Sequence, residues 1–297
     1  MIVFTLCPPF HGATLLSLLL NNHSKILALG DTNPARTFEQ GCSCGEKVAD
    51  CAFWKEISEQ TNCTRYDDKG IDGKLPQYPV YTKRAKLDKM INLALVLLAR
   101  AFGPGIWWLG GRPARDFFET YDAFIRACDK LAPHDVFVDG EKALLKFMIL
   151  ASRGGQEMKV IYVARDPRGY VYSCSKYRPE VGLAEICHDL EGQHRRIRMA
   201  LHLFGNIPSM VMRYEDLAQN PEQTLAKMQD FLGVQQENLV GPPRDPQKHH
   251  LIGNKMLQVF DGQVRHDENW RKSLSTEEQD EVLQHAKKIF KQFGYQG

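Results

Sequence analysis

IVFTLCPPFHGATLLSLLL, residues 2–20, decides the fold. Residues 2–6 predict a short buried strand, Pro8, Pro9 and Gly12 a turn, and residues 14–22 the helix after it. A strand that passes through a glycine turn into a helix is the opening unit of an α/β sheet. Such a turn points several backbone N–H groups outward, and the helix dipole adds partial positive charge there. Gly12 lets the backbone approach an anion closely, Ala13 keeps the turn small and Thr14 can add a hydroxyl donor. That is phosphate-binding chemistry, although an ordinary helix-capping turn has the same outline. The lysine of the G-x-x-x-x-G-K-[ST] loop is absent, so Mg²⁺ coordination is not implied.

The rest of the chain alternates in the same way. Short strands are predicted at 25–31, 135–139, 158–164 and 209–214, the last three each followed by helical periodicity. Residues 38–64 read as loop with a short helix around 53–59, and longer helices are predicted at 82–101 and 114–131. Strands alternating with helices predict a three-layer α/β fold with a central parallel sheet flanked by helices. No repeat, low-complexity tract or dividing linker is visible, so residues 1–297 are expected to form one domain.

Composition excludes several classes. With 43% hydrophobic and 25% charged residues the chain is an ordinary globular one. A net charge of +2 is too small to indicate nucleic-acid binding. The longest apolar run, MINLALVLLARAFG, is interrupted by Asn92 and Arg100 and is too short for a membrane span. No basic segment precedes the first apolar stretch, so no signal peptide is read. Eight cysteines without a sign of secretion favour reduced thiols, and a cytoplasmic location is expected.

Two further clusters fall at strand ends, where open parallel sheets bind ligands. In VIYVARDPRGYVYSCSKY, residues 160–177, Arg165 comes just after the strand and Pro167 suits the first turn of a helix. Ser173, eight residues on, lies two turns down, so guanidinium and hydroxyl can share one phosphate. A salt-bridged turn is the plainer alternative. In VMRYEDLAQNPEQTLAKMQDFLGV, residues 211–234, Tyr214 at the strand end can stack on a flat ligand or simply join the core.

In this order and spacing the three stretches resemble the sulfotransferase family, which uses 3′-phosphoadenosine 5′-phosphosulfate (PAPS) as donor. HHLIGNKM (249–256), DENWRKSL (267–274) and VFVDGEKALLKFMIL (136–150) resemble the family's His-x-x-x-Gly-Asn, Asp-x-x-Trp and central Asp-x-x-Lys segments. GCSCGEKVADCAFW (41–54) resembles a cysteine-bearing insert of bacterial members. The resemblance runs from about residue 2 to 275 and is poor between about 60 and 130, a variable, mainly helical segment on the acceptor side.

The resemblance implies a P-loop-like fold and sulfuryl transfer from PAPS to a hydroxyl of a small-molecule or glycan acceptor, leaving adenosine 3′,5′-bisphosphate. It implies that His11, Gly12, Ala13 and Thr14 meet the 5′-phosphosulfate, Arg165 and Ser173 the 3′-phosphate, and Tyr214 the adenine. Arg265 would close a basic loop over the 3′-phosphate. Lys142 takes the place of the central lysine and would neutralise the leaving phosphate oxygen. An acceptor hydroxyl also needs a base. Asp31, at the end of the second strand, is favoured, with Glu141 and His11 as alternatives.

The sequence departs from the family in its first turn. The family's Pro-[Arg/Lys]-Ser-Gly-[Ser/Thr]-Thr is here Pro-Phe-His-Gly-Ala-Thr, so the fixed cation is missing. Losing a charge-assisted hydrogen bond costs about 1.5–3 kcal/mol. A protonated His11 would partly replace it and favour activity below about pH 6.5. Leu257 stands where an arginine is expected. A catalytically silent protein binding a nucleotide or a partner on the same fold is therefore the second reading.

Cys42, Cys44, Cys51 and Cys63 are clustered, but without the paired Cys-x-x-Cys of a zinc ribbon. They read as buried small thiols, and no metal is expected. His249 and His250 read as a segment edge rather than ligands. HRRIRMALH, residues 194–202, reads as a solvated helix face or the mouth of a substrate site. Trp107, Trp108, Phe117, Phe118 and Tyr121 are candidates for an acceptor pocket, or core residues.

Overall fold

A computed structural model describes residues 1–31, 41–61, 79–80, 84–245, 247–252 and 260–296. The central sheet contains β1 (Ile2–Leu6), β2 (Ile26–Ala28), β4 (Val136–Asp139), β5 (Met158–Ala164) and β6 (Ser209–Arg213). These pair in the order β2-β4-β1-β5-β6, all parallel. Every residue of β1, β2 and β4 is buried, as expected of strands covered on both faces. β6, with a neighbour on one side only, leaves Ser209 and Val211 exposed.

Alternation along β1 divides the core in two. Ile2, Phe4 and Leu6 face a layer built from α3 (Ala85–Phe102), α4 (Gly111–Leu131), α5 (Leu144–Arg153) and α7 (Leu183–Leu203). Val3 and Cys7 face the other layer, built from α1 (Ala13–Leu20), α8 (Tyr214–Gln219) and α9 (Pro221–Leu232). The three-layer α/β fold with a central parallel sheet flanked by helices is therefore what the chain forms. Among the described residues no helix is long and apolar enough to cross a membrane.

Boundaries differ from expectation where side chains find distant partners. α1 ends at Leu20 because Asn21 and Asn22 turn away from it. The Asn21 amide accepts from the Ala28 N–H at 2.9 Å and donates to the Lys248 carbonyl, while Asn22 donates to the Leu239 and Gly241 carbonyls. α4 begins at Gly111, with Pro113 in its first turn, where no intrahelical N–H is needed. Of the variable segment, 62–78 and 81–83 lie outside the described residues. Its remaining length forms α3, a 3₁₀ turn over Pro104–Gly110 and α4.

A second, two-stranded sheet was not foreseen. β3 (Gly41–Cys42) pairs antiparallel with β7 (Leu251–Ile252), and the Leu251 N–H also donates to Leu29, just past β2. Strands of two residues have no readable periodicity; only the long-range pairing creates them. α2 (Ala52–Gln60) comes after β3, and α6 (Pro167–Ser175) after β5. Trp270–Ser273 (α10), Thr276–His285 (α11) and Lys287–Phe293 (α12) complete the chain.

Candidate active site

The site begins at the carboxyl end of β1. Gly12 caps α1 with φ at +81°, and no side chain caps that helix end. A Cβ on Gly12 would lie 2.6 Å from Cδ2 of Tyr214, so both backbone and space demand glycine. Phe10 also has a positive φ, 61°, and its carbonyl accepts from Nη1 of Arg165 at 2.7 Å. Ala13 and Thr14 open the first turn of α1 and are partly exposed. The turn thus presents uncapped N–H groups beside a guanidinium.

Arg165 joins the three strand-end stretches. Besides Phe10 it reaches Ser173 Oγ on α6 at 3.4 Å and Asp267 Oδ2 at 3.0 Å. Its guanidinium lies 4.8 Å from the centre of the Tyr214 ring. Tyr214 donates its hydroxyl proton to the Arg265 carbonyl at 3.2 Å and accepts from the Asp267 N–H at 3.1 Å. Burial acts against the Asp267 carboxylate, but the Asn269 N–H and the Arg165 guanidinium outweigh it and hold its pKa below the usual value. Glu215 fixes the strand ends to each other: it accepts from the Asp166 N–H and from the Tyr295 hydroxyl, each at 2.9 Å. Asp166 caps α6 at Arg168 and pairs with the Arg168 guanidinium, which lies over Trp270.

Gly12, Arg165, Ser173 and Tyr214 are thus in one place. Arg265 is not: its side chain is exposed and paired with Asp261, and only its carbonyl reaches Tyr214. Sequence reasoning missed Asp267 as the partner of Arg165, because the contact spans 102 residues. Leu257 and the Gly253–Asn254 pair lie outside the described residues.

His11 is corrected. It is 1% exposed, donates from Nδ1 to the Pro9 carbonyl at 2.8 Å, and packs against Tyr170 and His194. Burial, then the neighbouring His194, push its pKa well below that of free histidine. The ring is neutral near neutral pH and does not replace the missing loop cation. Its Nε2 is buried without a partner among the described residues.

Asp31 and Lys142 meet at the ends of β2 and β4. Lys142 Nζ lies 3.3 Å from Asp31 Oδ2 and donates to the Gly140 carbonyl at 3.2 Å. Adjacent strands bring the two segments together, and Gly140 allows the approach: a Cβ there would lie 2.6 Å from the Gly30 carbonyl oxygen. Lys142 itself has φ at +62°, a conformation that costs a side-chain-bearing residue about 1–3 kcal/mol. Glu141 points elsewhere, to Lys146 at 2.8 Å, and Lys146 also contacts Asp139 at 2.7 Å. Burial alone would lower the Lys146 pKa, but Asp139 and Glu141 outweigh it and keep the ammonium charged.

A cleft of about 1050 Å³ opens beside this pair. Asp31 and Glu141 lie at its polar end. Leu93 and Leu97 of α3, Leu144 and Met148 of α5, and Met199 of α7 give it apolar lining, and Arg195, Arg196 and Arg198 of α7 also line it. The basic helix thus contributes three arginines to the cleft lining. Trp107, Phe117, Phe118 and Tyr121 are core residues, and Trp108 is on the surface.

The cysteine segment also differs from expectation. Cys42, Cys44 and Cys51 converge with His249, which the sequence suggests is a segment edge rather than a ligand. Cys63 lies outside the described residues.

Residues 148–288 match the family model described as a sulfotransferase domain. No curated protein matches the chain. Solved structures share its fold, two sulfotransferase domains among them. The sulfotransferase domain of the olefin synthase of Synechococcus PCC 7002 is 16% identical, with a TM-score of 0.57 and coverage of 100% of this chain and 95% of that one. The sulfotransferase domain from the curacin biosynthetic pathway is 19% identical, with a TM-score of 0.52 and coverage of 99% and 98%. The chain is thus similar to the sulfotransferase family over residues 148–288 and shares its fold with these two sulfotransferase domains.

Proposed function

We propose that the chain is an enzyme that transfers a sulfuryl group from PAPS to a hydroxyl of an amphiphilic small molecule. The observation that carries this reading is the convergence of Arg165, Ser173 and Tyr214 on the uncapped Gly12 turn, with the Asp31–Lys142 pair at the neighbouring strand ends. The site suits the donor: the Gly12 turn leaves its N–H groups uncapped, and Arg165 and Ser173 would hold the 3′-phosphate. Tyr214 would flank the adenine. Backbone N–H groups at the start of α1 and the Thr14 hydroxyl would hold the 5′-phosphosulfate. When bound, PAPS supplies an activated sulfuryl group on a phosphate leaving group.

Lys142 would neutralise the departing oxygen, and Asp31 would take the acceptor proton. Asp31 is favoured over the alternatives because Glu141 is engaged by Lys146 and His11 is buried away from the cleft. The cleft's apolar lining and its three arginines suit an acceptor with an apolar body and an anionic end. Single-domain organisation over 1–297, no separate metal requirement for the transfer step and a cytoplasmic setting accompany this reading.

Calorimetry with adenosine 3′,5′-bisphosphate, 5′-AMP and Mg²⁺–ATP tests it. Binding of the bisphosphate at least about tenfold tighter than that of 5′-AMP, lost in Arg165→Ala, is expected. Equal binding of all three nucleotides would overturn PAPS as donor and favour the silent binding protein.

A further inference from the structure

The β3–β7 sheet holds four side chains in the arrangement of a tetrahedral metal centre. Cys42 and Cys51 Sγ are 3.8 Å apart, Cys44 and Cys51 Sγ 3.7 Å, and His249 Nδ1 lies 3.1 Å from Cys42 and 3.2 Å from Cys51. All four atoms lie within 4.8 Å of one another. Tetrahedral zinc with Zn–S bonds of about 2.3 Å and Zn–N of about 2.05 Å places sulfurs about 3.8 Å apart and sulfur and nitrogen about 3.6 Å apart. These two sulfur spacings match, and the nitrogen needs to retreat by a few tenths of an ångström.

Backbone donors lie at two of the sulfurs. Backbone N–H groups of Phe53 and Trp54, at the start of α2, point at the Cys51 sulfur, and that of Cys44 points at the Cys42 sulfur. Such N–H···S bonds favour the thiolate, and helix N-terminal charge adds to them. The Phe53 ring stacks on His249 at 4.7 Å, fixing the imidazole plane. A disulfide explains the cluster less well. Three sulfurs cannot all pair among themselves, their separations are far from a bonded distance of about 2.05 Å, and a histidine nitrogen faces two of them.

We propose that Cys42, Cys44, Cys51 and His249 bind one zinc ion as a closed, structural Cys₃His site. Two cysteines flank a tight turn, the third caps α2, and the histidine arrives 198 residues later. The ion therefore ties the β3 turn and α2 to the 249–252 segment. That segment carries His250, which donates from Nδ1 to the Leu251 carbonyl and accepts at Nε2 from the Ser17 hydroxyl of α1 at 2.8 Å. The His250 ring also lies against Gly30, next to Asp31. The metal thus braces the floor beneath both the glycine turn and the candidate base. With four protein ligands it has no open position for chemistry.

The test uses the full chain expressed with zinc and purified without chelator. Elemental analysis is expected to find about one zinc per chain, and X-ray absorption three sulfurs near 2.3 Å and one nitrogen near 2.05 Å, each about the usual bond length. Refolding with cobalt(II) should give the visible absorption of a tetrahedral thiolate site. Cys44→Ser, at the exposed ligand, and His249→Ala should each lose the metal or hold it so weakly that a mild chelator strips it. If a variant fails to fold, the wild-type absorption spectrum still decides. Metal-free wild-type protein, a disulfide within the cluster, or full metal retention in both variants would each overturn the proposal.

Discussion

Lys142 Nζ stands 3.3 Å from Asp31 Oδ2, bridging the ends of two adjacent strands with a backbone that has φ at +62°. A lysine kept in the left-handed region needs a reason beyond stability, because glycine adopts that conformation freely and the ion pair is partly exposed. Lys142→Gly is therefore expected to leave thermal stability unchanged or raise it by up to about 1 kcal/mol. In the proposed reaction it should also lower sulfuryl transfer by about 10²-fold or more, with bisphosphate affinity changed far less. Chemical denaturation and single-turnover assays check both halves. A stability loss with normal transfer would show that Lys142 serves the fold.

Arg165 offers a second test, because its contacts use the guanidinium's shape. It reaches Phe10, Ser173 and Asp267 at once and lies over Tyr214. Lysine keeps the charge but cannot make this fork. Arg165→Lys should lose about 1.5–3 kcal/mol of bisphosphate affinity while binding 5′-AMP nearly as before. Calorimetric comparison of the two nucleotides gives the answer, and a parallel loss for both would mean that the arginine only supports the loop.

These residues differ in how far the sequence announced them. The parallel sheet, the Gly12 turn and the Arg165–Ser173 spacing were legible, because each arises where a strand runs into a turn; Asp31 and Lys142 were singled out separately, but not their pairing. Asp267 was not legible, nor was Lys146 as the partner that occupies Glu141. Their contacts depend on how separate segments pack. His11 was misread for a related reason: a histidine beside a glycine turn looks exposed on paper, whereas Tyr170 and His194 cover it. The Cys₃His cluster needed β7 to return beside β3, a pairing of two residues with no sequence pattern of its own.

Gly12 is the position where the turn has no tolerance. A Cβ there meets the Tyr214 ring at 2.6 Å and the backbone stays at φ +81°. Gly12→Ala is expected to destabilise the fold by about 1–3 kcal/mol. The double variant Gly12→Ala/Tyr214→Ala should remove the clash but keep the strain, so its melting temperature should fall less than the two single losses added together. Simple additivity in the melts would show that the ring yields freely to the new methyl group.

The buried histidines set the last expectation, which concerns acid. Burial pushes His194 down to about 3, with Arg198 acting in the same direction, and His11 lies well below its ordinary value. Each ring stays neutral in the fold and takes a proton, once unfolded, near pH 6.5, about the ordinary histidine value. Below that pH the unfolded chain binds more protons, so stability falls as pH falls and is fully regained above it. Between pH 7 and 5.5 each histidine should cost about 1.3 kcal/mol. His194→Gln should be less stable than wild type at pH 7, where the contact with the Tyr162 hydroxyl is altered, yet lose less on acidification. Bisphosphate affinity should not rise over the same interval, because no cation forms at His11. Urea unfolding at several pH values with parallel calorimetry measures both, and an unchanged pH slope in the variant would mean that His194 is protonated within the fold.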